Sequence, residues 1–464
     1  MYTLIRPCWL SFLITLRIST MNFNQLLINI GDLMWGWPLI IVFILSGTII
    51  TFMLNFVQFR YFFKSWKLAL FSVKEESEGE ITPFQALISS LSSSSGNGSI
   101  AGIAIAIATG GPGAAFWLFI AGIFCLGMRF AEVYASTSII DNNPKNPIKS
   151  GPMVYIKMLP GGKIWSYIFT IAMFLMGIVG GSAVQTNSIG VSFVRTWGVN
   201  KYIVAAVLFV FITYAILGGA KRIMRLSEII VPFKVAIFII SSFIVLVYHY
   251  SSIIPAIQLM IMSALNPQAA GGAVIGFTIM KSIRSSLPRI LTASEAGLGT
   301  AGVLFGATGS KYPMKDSIMS MFGAFLSTYF VCFMVALSIV ASGVWNNGQT
   351  STALTISAFE TVFGSYGGWI VTFCSVSFGI GVLVTFAFIT RETWLFITNG
   401  RWGWVSSVLY CLAAFLGGIA KVDIVWNSID ILIGVMFLIN ICAVVYLLPL
   451  MRKTMQKNIK QENI

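Results

Sequence analysis

Apolar residues run through this chain in long unbroken windows, and polar residues gather in the short gaps between them. Windows near 38–57, 84–108, 113–138, 165–190, 202–218, 227–248, 271–305, 317–341, 367–390, 402–419 and 427–450 each approach the ~20 residues that cross a bilayer core. They predict an all-α polytopic membrane protein with about eleven transmembrane helices. No gap is long enough for a soluble domain; the longest polar stretches are Phe63–Glu80 and Asp141–Lys163. Residues 31–450 therefore read as one transmembrane domain, preceded by an N-terminal segment, 1–30, and followed by a basic tail, 451–464.

Two windows carry an interruption. The stretch Ile81–Met128 has no charged residue, and at its middle stand Ser92–Ser95 and then Gly96-Asn97-Gly98-Ser99, with Gly102, Gly110 and Gly113 beyond. Broken helix is tolerated at membrane depth only where protein, water or a ligand satisfies the freed backbone groups. A second interruption, Thr292-Ala293-Ser294-Glu295-Ala296-Gly297-Leu298-Gly299, divides the window that also holds Gly271, Gly272 and Gly276. Paired interruptions at corresponding places in two halves point to a transporter built from inverted repeats, here five helices plus five with one extra N-terminal helix. Half-helix N-termini suit a carboxylate and the opposing carbonyls suit an ammonium or a metal cation, so an amino-acid zwitterion satisfies both.

Composition agrees with the membrane class: 57% hydrophobic, 9% charged and a mean hydropathy of +0.88, against about 25% charge in soluble domains. Lys and Arg sort by side. Arg60, Lys64, Lys67, Lys74, Lys145, Lys149, Lys157, Lys163, Lys221, Arg222, Arg225, Lys311, Lys315, Arg391, Arg401 and the tail's Arg452, Lys453, Lys457 and Lys460 fall on one face, against Arg6, Arg17, Arg195, Lys201 and Lys421 on the other. By the positive-inside rule the rich face and the C-terminus are cytoplasmic. The net charge of +14 reflects this topology and attraction to anionic lipid, and calls for no nucleic-acid partner. The six cysteines are widely spaced and show no disulfide or metal pattern. Arg6, Cys8–Leu16 and Arg17 form a brief signal-like segment without a convincing cleavage site, and Met21 is a candidate start. An enzyme is not expected: no Gly-x-Ser-x-Gly, no paired aspartates within spans and no His-Glu-x-x-His are present.

In Asn55–Tyr61, Gly96–Trp117, Phe130-Ala131-Glu132, Gly151-Pro152-Met153, Gln185-Thr186-Asn187-Ser188, Gly218–Arg222, Asn266–Ala270, Glu295–Gly299 and Val425-Trp426-Asn427 with Asp430, taken in this order, the chain resembles the alanine or glycine:cation symporters. They are a branch of the amino acid-polyamine-organocation superfamily with the leucine-transporter type of fold. The resemblance covers about residues 31–450 and implies import of a small neutral amino acid, alanine or glycine, with a cation, sodium being the expected ion. It implies an inner-membrane carrier of a bacterium and no cofactor beyond the coupling ion. Three departures stand out. The family's Gly-Thr-Gly-Asn is Gly96-Asn97-Gly98-Ser99 here; its pair of threonines on the eighth core helix aligns with Gly381 and Val382; and a family aspartate is Ser327.

Lys234 stands inside an apolar window, and an ionisable group inside a span is a functional hypothesis by default. Burial penalises an ammonium, so Lys234 is a candidate to load and release a proton in the place of a sodium ion; alternatively it snorkels to the headgroups beside Arg222 and Arg225. Substrate is expected at Gly96, Asn97, Gly98, Ser99, Gln185, Ser294, Glu295 and Gly297, and cation coupling at Ser99, Lys234 and Glu295, with no metal beyond a sodium site. For Glu295 a capping role at the break stands beside direct contact. Gln185 and Asn187 are pocket groups or interhelical hydrogen bonds. Arg284 and Arg289 pair with Glu295, guide a carboxylate, or snorkel; Arg129 and Glu132 form an ion pair at the cytoplasmic end of their helix. A non-transporting amino-acid sensor remains as a further alternative, and oligomeric state is unread.

Overall fold

The computed structural model describes residues 23–71, 79–143, 146, 148–217, 219–265, 279–462 and 464. Met21 with the segment before it, Asn266–Ala270, and Gly271, Gly272 and Gly276 lie outside the described residues, as do the side chains of 217–232, which include Lys221, Arg222 and Arg225.

All regular structure among the described residues is helical. Helix α1 (Phe23–Met34) meets α2 (Trp37–Met53) at a 45° bend, where Gly36 and Pro38 interrupt the ladder. A short α3 (Phe62–Phe71) precedes α4 (Pro83–Ser94). Helix α4 opens with a capping box: the Gln85 N–H donates to Thr82 Oγ1 (3.2 Å) and the Thr82 N–H to Gln85 Oε1 (3.1 Å), with Pro83 in the first turn. After a break the chain resumes through a π-helical turn, Gly98–Gly102, into α5 (Ile103–Gly110), followed by α6 (Gly113–Ser138). Next come α7 (Gly162–Met176) and α8 (Val184–Trp197), continuous through a π segment, then α9 (Lys201–Leu217), α10 (Gly219–Tyr248) and α11 (Tyr250–Leu265). The second broken helix is α12 (Ile279–Ser294) with α13 (Thr300–Gly306). Helices α14 (Pro313–Phe325) and α15 (Phe333–Ala341) join through a π segment, Leu326–Cys332. The chain ends with α16 (Ser351–Phe363), α17 (Tyr366–Ile397), α18 (Gly403–Ile419) and α19 (Val422–Gln461).

Among the described residues, five continuous stretches are long and apolar enough to cross a membrane: Gly113–Ser138, Gly162–Trp197, Pro313–Ala341, Tyr366–Ile397 and Val422–Gln461; two bent pairs raise the count to as many as seven. The chain is thus a multi-pass, all-helical membrane protein. Fewer continuous spans appear than the eleven apolar windows for a physical reason. Two of those windows are split by the breaks, and α9 and α18, at 17 residues each, reach ~25 Å against a hydrocarbon core of ~30 Å. Lipid contact is written on the surface of α9, where Ile203, Val207, Val210 and Tyr214 form a stripe at helical spacing, each 59–65% exposed. The broken helices lie inside: α6 packs on α12, α13 and α14, while α10 and α17 pack on α4.

Candidate functional site: two broken helices

Helix α4 stops at Ser94 because serines, whose hydroxyls compete for backbone groups, lead into Gly96. A Cβ on Gly96 would stand 2.3 Å from Val382 Cγ2 on α17, so a larger residue here would force Val382 to shift. The carbonyls left at the end of α4 carry the negative end of its dipole, and a cation meets them. Lys234 Nζ donates to Ser92 O and Ser95 O, both at 3.0 Å, and lies 3.4 Å from Ser92 Oγ. The Ser99 and Ser327 hydroxyls both reach Ser94 O, at 3.1 and 3.0 Å. Across the gap the Asn97 N–H donates to Gln185 Oε1 (3.1 Å), and the Asn97 amide is fastened to α17, donating to Ser375 O (3.0 Å) and accepting from Ser375 Oγ (2.7 Å).

Lys234 is 1% exposed. The snorkelling alternative is therefore corrected: the side chain runs inward to α4, its ammonium 5.2 Å from the Phe378 ring centre. Gly381 makes the room. A Cβ there would lie 2.4 Å from Ser92 Oγ and 2.6 Å from Lys234 Nζ, so Gly381 and the lysine of α10 occupy complementary space.

The second break is built from positive φ angles: Glu295 at 50°, Gly297 at 73° and Gly299 at 79°. For a non-glycine residue such a conformation costs on the order of 1–3 kcal/mol. Glu295 Oε2 accepts from Ser93 Oγ (2.8 Å) on α4 and from Thr300 Oγ1 (3.0 Å) at the start of α13. Its carboxylate thus ties one broken helix to the other. Ser294 turns inward on its own helix, donating to Ile290 O (2.7 Å) and accepting from the Ala296 N–H (3.3 Å). The Ser327 hydroxyl also lies 2.7 Å from Ala293 O, so it stands between the last carbonyls of both half-helices.

The ion pair expected at a helix end turns out to hold this second break. Arg129 and Glu132 are wholly buried, 3.5 Å apart. Arg129 donates to Glu295 O (3.1 Å), the carbonyl just past α12, and to Ser90 Oγ; Glu132 Oε2 accepts from the Gly299 N–H (3.0 Å), just before α13. A cation on a helix C-terminus and an anion on a helix N-terminus each complement a dipole. One turn of α6 therefore replaces the missing backbone partners on both sides of the break. An Arg-x-x-Glu spacing on a helix was the only trace of it in the sequence.

Other expected residues lie elsewhere. Asn187 donates to Gly417 O and Ala420 O, both at 3.0 Å, and belongs to the α8–α18 contact. Arg284 and Arg289 do not pair with Glu295: Arg284 meets Asp32 (3.0 Å), and Arg289 grips Asp430 through two bonds of 2.7 and 2.8 Å. Each has an acid on a neighbouring helix within reach, whereas Glu295 sits deeper beside Ser93. Gly102, Gly110 and Gly113 are close-approach positions, where a Cβ would meet Trp426 at 3.1 Å, Ser285 Oγ at 1.9 Å and the Ala264 nitrogen at 2.8 Å. Gly98 is a close-approach position as well: it faces α12, with Thr292 Cγ2 2.9 Å from where its Cβ would be. Gly96→Ala is accordingly expected to lower the midpoint of thermal unfolding in detergent, and Gly96→Ala with Val382→Ala to recover part of it, because the second change removes the methyl that clashes.

Two facing breaks, each with a cation at its C-terminal carbonyls, form a buried polar centre inside an apolar bundle. The profile of the sodium:alanine symporter family matches residues 20–463. The chain belongs to that family. It is similar to AgcS of Methanococcus maripaludis, named a sodium/alanine symporter, at 31% identity over 438 residues, 92% of this chain and 95% of that one. It is also similar to two Bacillus subtilis proteins. These are YflA, named an uncharacterized transporter, at 30% identity over 90% of each chain, and AlsT, named an amino-acid carrier protein, at 29% over 95% of this chain and 93% of that one. Membership of this sodium:alanine symporter family makes the protein a cation-coupled amino-acid transporter.

Proposed function

We propose that this family member imports small neutral amino acids across a bacterial inner membrane by alternating access, and that a proton carried by Lys234 takes the place of sodium at one coupling site. Residues 31–450 form the transport domain, with α2 as the extra helix before a five-plus-five inverted repeat and the C-terminus in the cytoplasm. The substrate carboxylate is received where the chain resumes after the first break, at Asn97–Ser99, with Gln185 beside it. The ammonium is received where α12 ends, at Ser294, Glu295 and Gly297. Coupling is linkage: a cation at the end of α4 stabilises the arrangement of the break that binds substrate.

The observation that carries the proton reading is the Lys234 ammonium on Ser92 O and Ser95 O. Carbonyl oxygens are the ligands a hard cation needs, and a protein-borne cation already uses them. The test is uptake of radiolabelled alanine by the reconstituted protein under an inward sodium gradient and, separately, an inward proton gradient. Accumulation driven by the proton gradient is expected. Sodium-driven accumulation indifferent to pH would overturn the proton reading, and binding of alanine without movement under either gradient would favour a sensor. Space predicts a converse experiment: Gly381→Thr alone displaces Lys234 and stops transport, while Gly381→Thr with Lys234→Met is expected to make uptake dependent on external sodium.

A further inference from the structure

At the end of the bundle opposite the C-terminal tail, beside the first turn of α19, lies a cavity of about 270 Å³, smaller than the ~300–1,000 Å³ of sites for drug-sized ligands. Lys281, Arg284, Arg289, Asp423, Trp426 and Asp430 are among its walls, so it presents both signs of charge. Its floor is the Arg289–Asp430 pair, with the guanidinium 4.7 Å from the Trp426 ring centre. Trp426 and Arg289 press on Gly102 of the first broken helix, where a Cβ would stand 3.1 Å from the indole and 3.4 Å from Arg289 Cδ. The same cluster therefore separates the cavity from the breaks. Two buried donors in it, Arg289 Nε and Trp426 Nε1, have no hydrogen-bond partner among the described residues. The backbone of Asp430 is pinned independently, its carbonyl accepting from Trp35 Nε1 at 2.9 Å, so its carboxylate can change partners without the helix moving.

We propose that this cavity is a second, outer binding site for the amino-acid zwitterion, which opens its own route inward by exchanging ion pairs. The substrate carboxylate replaces Asp430 on Arg289, and the substrate ammonium takes the released Asp430 carboxylate. Breaking a buried pair from one side leaves an uncompensated charge, which is strongly unfavourable. A zwitterion compensates both partners at once, so the site selects for molecules carrying both charges at amino-acid spacing. The inference rests on the transport reading above, and alanine counterflow by the wild-type protein is the control for that reading alone.

The test is external alanine uptake by right-side-out membrane vesicles holding the full-length chain, with KM and maximal rate measured separately. Arg289→Lys keeps the charge balance but loses the two-pronged grip; KM for external alanine is expected to rise about tenfold with the maximal rate nearly kept. Arg289→Gln with Asp430→Asn removes both charges together, leaves no charge stranded and should show the same raised KM. An unchanged KM in both variants overturns the proposal, as does a loss of maximal rate without a change in KM, which is what a purely structural pair would give.

Discussion

Lys234→Met protein is expected to exchange labelled alanine between the two sides of a liposome and to lose the ability to accumulate it under an inward proton gradient. Exchange needs only the substrate site and the rocking of the broken helices. Accumulation needs a group that travels loaded in one direction and unloaded in the other, and Lys234 is the buried base that α10 sets against the end of α4. Removing it leaves Ser92 O and Ser95 O without the donor they now have, at a cost of roughly 1–3 kcal/mol for each buried group left unsatisfied, so some loss of stability should accompany the change. Lys234→Arg separates charge from proton: an arginine keeps the cation but does not release it. If the proton reading holds, both variants lose accumulation; full accumulation by the arginine variant would mean that the site needs a fixed charge and that no proton moves through it.

A comparably large effect is expected on stability from α6. Arg129→Met or Glu132→Leu strands the other charge in a wholly buried setting, where breaking one side of a pair costs about 3–5 kcal/mol. Each also frees backbone groups at the α12–α13 break, the Glu295 carbonyl in one case and the Gly299 N–H in the other. Thermal unfolding in detergent should show both single variants with strongly lowered midpoints. The double variant should lose less than the sum of the two, because its charges leave together. Additive losses would mean that the residues act separately and that the pair does not brace the break as a unit.

The breaks themselves were legible in the chain. Glycines and serines clustered in a charge-free apolar window have few physical explanations other than an opened helix, and Gly96–Ser99 and Ser294–Gly299 lie where that pattern placed them. Lys234 was legible as an anomaly, a lone cation among apolar residues, but its meaning was not. Snorkelling and burial differ only in which face of α10 turns toward α4, and that face is set by packing against α17 and α4. Arg129 and Glu132, three residues apart, resemble any local ion pair; their backbone partner at Glu295 is 166 residues away in sequence. Arg289 and Asp430 are separated by 141 residues, and nothing in the pattern near Arg289 favoured Asp430 over the nearer Glu295.

By itself the sequence determined the class of this protein, a multi-pass helical bundle with two interrupted helices and the motifs of its family. Those features arise from local rules: the length of apolar windows, the cost of free backbone in lipid, and the freedom of glycine. The tertiary structure alone decided which side chain satisfies each interrupted end, that Lys234 fills the space Gly381 leaves, that Arg129 and Glu132 brace the second break, and that Asp430 rather than Glu295 holds Arg289. Each of these is a match of charge or volume between helices far apart in the chain, and such matches exist only once the helices are packed.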